Sequence, residues 1–524
     1  MVYDYVIIGS GFGGSVAALR LAEKGYTVAI LEMGKHLTSD DFDNGCKSVR
    51  NLIWQPAIGM KGYFLQEVFA HLAVIGGVGV GGGSNVYAAV LLEPKDDFYS
   101  DTSWSDLGVN WKDELAVHYE TASLMLGVEK NPFFGTQDEY LKKTAESMGA
   151  GETFGPVPSG IYFGKSEIKK SDPYFDGQGP SRTGCHLCGK CMTGCPHGSK
   201  NSLDKNYLYL AQKKGVRILP GRKAENIIPL SGGGYTVRVC DPHSKRKKYP
   251  SVSGKNLIVA GGVLGTLDLL YRCREITKTL PEISAQLGTL VRTNSEAIVG
   301  VMDSDPGADM ANGPSISSEF YPDKYTHITQ NRFSHGYDFM KWYFGPLIDD
   351  SNPVRRSLRT LFNYMAHPFQ SCASLFGGNF YRRITALTVM QNHDNRLAFD
   401  YGRSLYSFFG YRLKSRKLKA FSAPSNLPVA NKTAKTMAEI SNGTPLNFLS
   451  ESIGNISTTA HILGGCHMGN SKDNGVIDTN HEVFGYPGLY IMDGSSISAN
   501  VGVNPSLTIC ALAERAVKRI PDNN

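Results

Sequence analysis

Gly9, Gly11 and Gly14 fall between an apolar run, Tyr3-Asp4-Tyr5-Val6-Ile7-Ile8, and a helix-forming stretch from Ser15 to Lys24, with Phe12 and Gly13 completing the turn. Glycines at this spacing suit the binding of a pyrophosphate. The first turns the chain sharply off a strand, the second lets backbone amides approach the phosphates, and the third lets the helix pack closely on the sheet. The anion then rests on the helix N-terminus. A second apolar run, Thr27-Val28-Ala29-Ile30-Leu31, ends in Glu32, about 20 residues beyond the turn, where a carboxylate accepts the ribose hydroxyls of a dinucleotide.

Two further groups could do chemistry. Gly79-Val80-Gly81-Gly82-Gly83-Ser84-Asn85 is too rich in glycine for a strand or a stable helix interior; such a loop in a compact enzyme is a binding element. Cys185, Cys188, Cys191 and Cys195, followed by Pro196, have the C-x₂-C-x₂-C-x₃-C-P spacing of bacterial ferredoxins. Only one such run exists, so a [4Fe-4S] or [3Fe-4S] cluster would use Cys185, Cys188 and Cys191, with Cys195 or a distant residue as fourth ligand. Zinc is the runner-up, because its Cys₄ sites usually come as two separated knuckles. Reduced structural thiols are the third reading.

These groups need a scaffold. At 524 residues the chain exceeds the usual single-domain size. The reading is an α/β protein: a Rossmann-like dinucleotide domain assembled from residues 1–100, 180–290 and 455–524, and a substrate domain with a mixed β-sheet and helices from 101–179 and 291–454, with 185–196 as a ferredoxin-like segment. Asn256 to Gly262 reads as a buried strand entering a glycine turn, followed by a helix over Leu264 to Leu270. In the second domain, Ala297–Val301 and Ile384–Met390 read as strands. Phe339, Trp342, Tyr343, Phe344, Phe362, Tyr364 and Phe369 accompany them as core or as lining of a substrate cavity.

With 41% apolar and 19% charged residues the chain is globular, and a net charge of +6 is too mild for a dedicated nucleic-acid binder. The first strand begins too early to leave room for a secretory signal, and no apolar run reaches bilayer-spanning length. The expectation is a cytoplasmic protein with reduced cysteines and no transmembrane segment. Arg403 to Phe421 interleaves Arg412, Lys414, Arg416, Lys417 and Lys419 with Tyr406, Phe408, Phe409 and Tyr411, which suits either a solvated basic face or peripheral contact with a membrane or an acidic partner.

With all blocks in view, the chain resembles the glucose-methanol-choline (GMC) oxidoreductases, and within them the cholesterol-oxidase-like branch. The resemblance rests on Gly9 to Gly14 with Glu32; Gly79 to Ser84 with Glu93-Pro94; Asn201 to Leu208; Ala260 to Thr266; His461-Ile462-Leu463-Gly464-Gly465-Cys466; Asp493-Gly494-Ser495; and Gly502-Val503-Asn504-Pro505. It implies FAD as the dinucleotide and oxidation of an alcohol by hydride transfer to flavin N5, with His461 and Asn504 at the substrate hydroxyl. A histidine there suits the chemistry, since it titrates near the working pH and can take the hydroxyl proton. Asp493, Gly494, Asn504 and Pro505 join the cofactor-binding residues on the same grounds. Pro505 reads as the first position of a helix over Ser506 to Lys518 whose positive end faces the flavin.

Three departures stand out. Tyr87 and Ala88 replace the Asn-Gly usual beside the flavin in cholesterol oxidases; no histidine lies in Gly79 to Ala89 to carry a covalent flavin, so FAD is expected to be noncovalent; and no glutamate aligns with the isomerising residue of that branch. The substrate implied is a small-molecule alcohol, bulky and hydrophobic or steroid-like. Electrons would leave to oxygen, or through the cluster to a quinone, cytochrome or other redox protein. The alternatives are an FAD/iron–sulfur electron-transfer protein without alcohol chemistry and a lyase with structural FAD.

Overall fold

The computed structural model describes residues 2–366, 378–403, 410–418 and 425–523. Strand Val2–Ile8 lies at the centre of a seven-stranded sheet with the order Arg217–Pro220, Val28–Glu32, Val2–Ile8, Ser244–Val259, Tyr235–Asp241, Lys223–Pro229; Leu489–Ile491 also pairs with Ser244–Val259. The pairs around the glycine turn are parallel, with Val6 opposite both Ala29 and Leu257. A parallel strand is covered on both faces and so reads as a continuous apolar run; Val6 and Ile7 are fully buried. Helix Phe12–Glu23 buries Val16, Ala17, Leu19 and Leu21 on this sheet, and helices Gly262–Tyr271 and Ser506–Lys518 join the same core. The strand expected at Asn256 is the end of a longer one, Ser244–Val259.

The second large sheet has the order Phe344–Pro346, Thr444–Phe448, Ala297–Met302, Ile384–Gln391, Thr326–Asn331, Ser318–Phe320, Gly155–Pro156. Every pairing in it is antiparallel, a correction to the mixed sheet expected there. Mixed pairing occurs instead in a five-stranded sheet of Ser457–Thr459, Leu72–Gly77, Phe64–Val68, Ile53–Gln55 and Met60–Lys61. Its short strands gave no usable alternation in the sequence. Helices Thr136–Ser147 and Pro428–Ser441 cover one face of the antiparallel sheet through Leu141, Ala145, Ala434 and Met437.

The aromatic group splits. Phe339, Tyr343 and Phe344 belong to a core cluster with Phe64 and Phe448, whereas Trp342 and Phe362 face solvent. Phe369, Tyr406, Phe408, Phe409, Lys419 and Phe421 lie outside the described residues. Within the basic stretch, Arg416 pairs with Asp400 (2.8 Å) and Arg412 stands over the Phe69 ring. Among the described residues, no helix is long and apolar enough to cross a membrane.

Candidate active site

Gly9 adopts φ +98°, and a Cβ there would stand 2.2 Å from the Ala260 carbonyl oxygen. A Cβ on Gly14 would stand 2.1 Å from Gly9 O, and one on Gly13 only 1.7 Å from Met492 O. Gly9, Gly13 and Gly14 are therefore fixed by packing of helix against sheet. Gly11 differs: nothing lies within 4 Å of a Cβ placed there, so this glycine keeps a concavity open at the N-terminus of helix Phe12–Glu23. The second glycine loop closes on it, since a Cβ on Gly82 would meet Gly11 Cα at 2.9 Å. Rather than an irregular loop throughout, residues Gly82–Asn85 form a short 3₁₀ turn, which the left-handed residues Gly81 and Gly82 allow.

Ser10 joins the two loops, a role the sequence did not single out. Its hydroxyl donates to Glu32 Oε2 (2.7 Å) and accepts from Gly81 N (3.1 Å). Glu32 also accepts from Ser10 N and Gly34 N; burial raises its carboxyl pKa, and these donors oppose the rise. Ser84 Oγ donates to Gly81 O and accepts from Leu203 N, and the Asn85 amide donates to Val80 O and Gly82 O. Both side chains thus shape the loop. Asp493, at the end of the neighbouring strand, accepts from Ser495 N (2.8 Å) and Thr266 Oγ1 (2.5 Å), and burial raises its pKa. Gly494 O accepts from Gly464 N (2.9 Å), which ties the cradle to the loop carrying His461.

His461 follows strand Ser457–Thr459, and Asn504 precedes helix Ser506–Lys518; Pro505 is the N-cap of that helix, one position earlier than expected. The two side chains meet: Asn504 Nδ2 lies 3.3 Å from His461 Nε2. The segment Arg292–Glu296 brackets both loops. Arg292 and Leu463 exchange backbone hydrogen bonds (2.9 and 3.0 Å). The Asn294 side chain accepts from Gly502 N (2.7 Å) and donates to Val503 O (2.8 Å), with Asn294 and Ser295 both in left-handed conformations. Glu296, 3% exposed, accepts from Ala460 N and Thr459 Oγ1 (each 2.9 Å) and stands 3.1 Å from His461 Nδ1.

His461 Nδ1 is buried without a hydrogen-bond partner, and the amide Nδ2 of Asn504, a donor, faces Nε2, which suits the tautomer with Nε2 as the acceptor. Asn504 Oδ1 is buried without a partner, and such an atom is costly unless a ligand donates to it. His467 is structural, its Nε2 lying 3.1 Å from Asn474 O, and burial lowers its pKa to about 4.

The four cysteines of the ferredoxin-like run line one small cavity of about 10 Å³, together with His186, His197 and Lys200. The described cysteines are all free thiols. Leu187, Gly189 and Gly194 adopt left-handed conformations between them, and Leu187 N donates to Cys185 Sγ (3.4 Å). Among the described residues, no group of three or more His, Cys, Asp or Glu is placed to hold a metal ion. Lys200, buried, donates to Cys191 O (2.7 Å), Asn85 O (2.8 Å) and Tyr87 O (3.2 Å). It thereby fastens the cysteine loop to the second glycine loop. The His186 and His197 rings stack with centroids 3.9 Å apart.

Residues 180–273 and 396–513 match the GMC oxidoreductase family, and residues 7–48 match an NAD(P)-binding Rossmann-like domain. A cholesterol oxidase from Acinetobacter baumannii is 40% identical over 99% of this chain and 94% of its own length. One from Mycobacterium tuberculosis is 38% identical over 99% and 91%. A long-chain-alcohol oxidase from Arabidopsis thaliana is 24% identical over 99% of this chain and 67% of its own. Among solved structures, pyridoxine 4-oxidase from Mesorbium loti superposes with a TM-score of 0.63 at 14% identity, covering 99% of both chains, a likeness of fold.

Proposed function

The chain belongs to the GMC oxidoreductase family, and on that premise we propose that it is an FAD-dependent enzyme that oxidises the CH–OH group of a bulky, hydrophobic, sterol-like or long-chain alcohol to the carbonyl. The observation that carries this reading is the meeting of His461, Asn504 and Glu296. The cradle fits the cofactor: Gly11 leaves open space where a Cβ would project, and Glu32 sits at the ribose end of the turn. FAD, when bound, supplies the hydride acceptor.

The chain's own residues do the rest. His461 Nε2 takes the hydroxyl proton as the carbinol hydride departs, a contribution of typically ~10²- to 10⁴-fold. Asn504 orients the hydroxyl by donating from Nδ2 to its oxygen, and the Glu296 carboxylate, 3.1 Å from Nδ1, steadies the positive charge the imidazole gains. A pure electron carrier has no use for this arrangement, whereas a lyase with structural FAD could use the same base on a hydroxyl but would leave the flavin oxidised. Anaerobic bleaching of bound flavin by a panel of alcohols tests the reading; flavin that no alcohol bleaches would refute it.

We infer further that Cys185, Cys188, Cys191 and Cys195 hold an iron–sulfur cluster through which electrons reach an external one-electron acceptor. The C-x₂-C-x₂-C-x₃-C-P spacing and the left-handed residues between the cysteines support this, since turns of this kind aim amides at anionic sulfur. Iron and acid-labile sulfide in anaerobically purified protein, with faster turnover on artificial dyes than on oxygen, is the expected result. Protein without iron that turns over equally fast in air would be a plain oxidase with structural thiols.

A further inference from the structure

Helix Pro353–Ala366 is amphipathic in the inverted sense. Val354, Leu358, Leu361, Phe362 and Met365 recur at helical spacing and are 47–73% exposed, while Arg356 and Thr360 are its buried residues. A surface helix of a globular domain turns its apolar stripe to the core and its charges to water; here the polar face is the one held by the protein. Arg356 donates to Asp350 O (3.0 Å), Ser425 Oγ (2.9 Å), Glu451 O (3.1 Å) and Asn455 Oδ1 (3.1 Å). Ser357 Oγ donates to Ile453 O (2.9 Å) and Tyr364 to Phe344 O (3.4 Å). Six hydrogen-bond partners set the helix so that its apolar side points away from the protein.

We propose that this helix is an interfacial anchor that sinks its apolar stripe into the surface of an anionic phospholipid bilayer. Arg355 and Arg359, each with 62% of its side chain exposed, share the single carboxylate of Asp350 (3.3 and 2.9 Å), which leaves positive charge at the rim where anionic headgroups lie. Ile453, exposed and with its carbonyl on Ser357, adds apolar surface beside the helix. A stripe one helix wide, roughly 20 Å by 10 Å, falls well short of the ~800 Å² per partner that a stable protein interface buries. A bilayer needs only an apolar face buried about 5–10 Å deep. The helix is clamped to Glu451 through Arg356, which fixes the exposed stripe relative to the fold.

Co-sedimentation of the holoenzyme with phosphatidylglycerol-rich vesicles at low and high salt tests the docking without any substrate present, so it stands or falls apart from the alcohol reading. The wild type is expected to bind, and the triple variant Leu358→Glu, Phe362→Glu, Met365→Glu to bind at least ~10-fold more weakly, with turnover of a water-soluble alcohol unchanged. Phe362→Trp gives a second readout: its emission should shift to the blue on vesicles. Absence of binding at low salt, equal binding by the triple variant, or a concentration-dependent dimer that the triple variant abolishes in place of vesicle binding would each overturn the proposal.

Discussion

Glu296 Oε2 stands 3.1 Å from Nδ1 of His461, although 165 residues of chain separate them. The same carboxylate accepts from Ala460 N and Thr459 Oγ1, so it fixes the backbone that carries the ring and places its charge beside Nδ1. Glu296→Gln keeps the shape and removes the charge. The expected outcome is retained FAD, flavin reduction slowed by ~10- to 100-fold, and a shifted pH profile of the reduction step. His461→Ala should slow reduction by ~10²-fold or more, also with FAD retained. Rapid-mixing anaerobic reduction reads both, and an unchanged rate in either variant removes that residue from the mechanism.

Gly11 and Gly13 are neighbours in one turn with opposite surroundings, which makes them a clean pair of variants. Gly11→Ala places its methyl in open space, so the protein should fold with native thermal stability and lose FAD affinity by ~10-fold or more as the methyl enters the pyrophosphate cradle. Gly13→Ala forces a methyl to 1.7 Å from Met492 O and should yield little soluble protein. Flavin titration and thermal melting separate the two. Equal FAD affinity in Gly11→Ala and wild type would place the phosphates elsewhere.

Acid should weaken the C-terminal segment. Burial lowers the pKa of both His467 and His481 to about 4, below the ordinary value near 6.5. Between these values the unfolded chain binds more protons than the folded one, so the stabilisation present above pH 6.5 is lost progressively as pH falls towards 4. His481, whose Nδ1 lies 2.9 Å from Ile491 O, braces the strand Leu489–Ile491 beside Asp493. Urea midpoints at pH 7.5 and 5 should differ, and His481→Gln should flatten the difference while lowering stability at pH 7.5. Identical slopes in variant and wild type would contradict this account.

Local features were legible in the sequence and long-range ones were not. The turn Gly9 to Gly14 and Glu32 announce themselves because strand, turn, helix and acid follow one another within one βαβ unit, and the structure forms these elements with the helix beginning at Phe12, three residues earlier than expected. Glu296 carries no such signal: its partners are at 459–461, and the Arg292–Glu296 stretch matches no motif. Ser10 is hidden for the opposite reason, as one more small residue in a glycine turn. Phe362 shows a third kind of failure. Its helical spacing with Leu358 and Met365 is plain in the sequence, but spacing does not say which face turns inward, and burial of Arg356 and Thr360 decides it.

Lys200 brings the cysteine cavity and the cofactor cradle into one mechanical unit. Its ammonium, fully buried and lowered by that burial to a pKa of about 8, remains charged at neutral pH and donates to one carbonyl of the cysteine loop and two of the loop after Gly83. Lys200→Met fills similar volume and leaves the carbonyls of Asn85 and Tyr87 without a donor, while Cys191 O keeps Gly194 N, at a cost of roughly 1–3 kcal/mol for each that water does not reach. The expected outcome is a lower urea midpoint and weaker FAD retention even in iron-free protein, because the carbonyls of Asn85 and Tyr87 lose their anchor. Lys200→Arg, too large for the site but charged, should recover part of the FAD affinity and little of the stability. If Lys200→Met binds FAD and melts as the wild type does, the two loops are independent, and the lysine does not couple them.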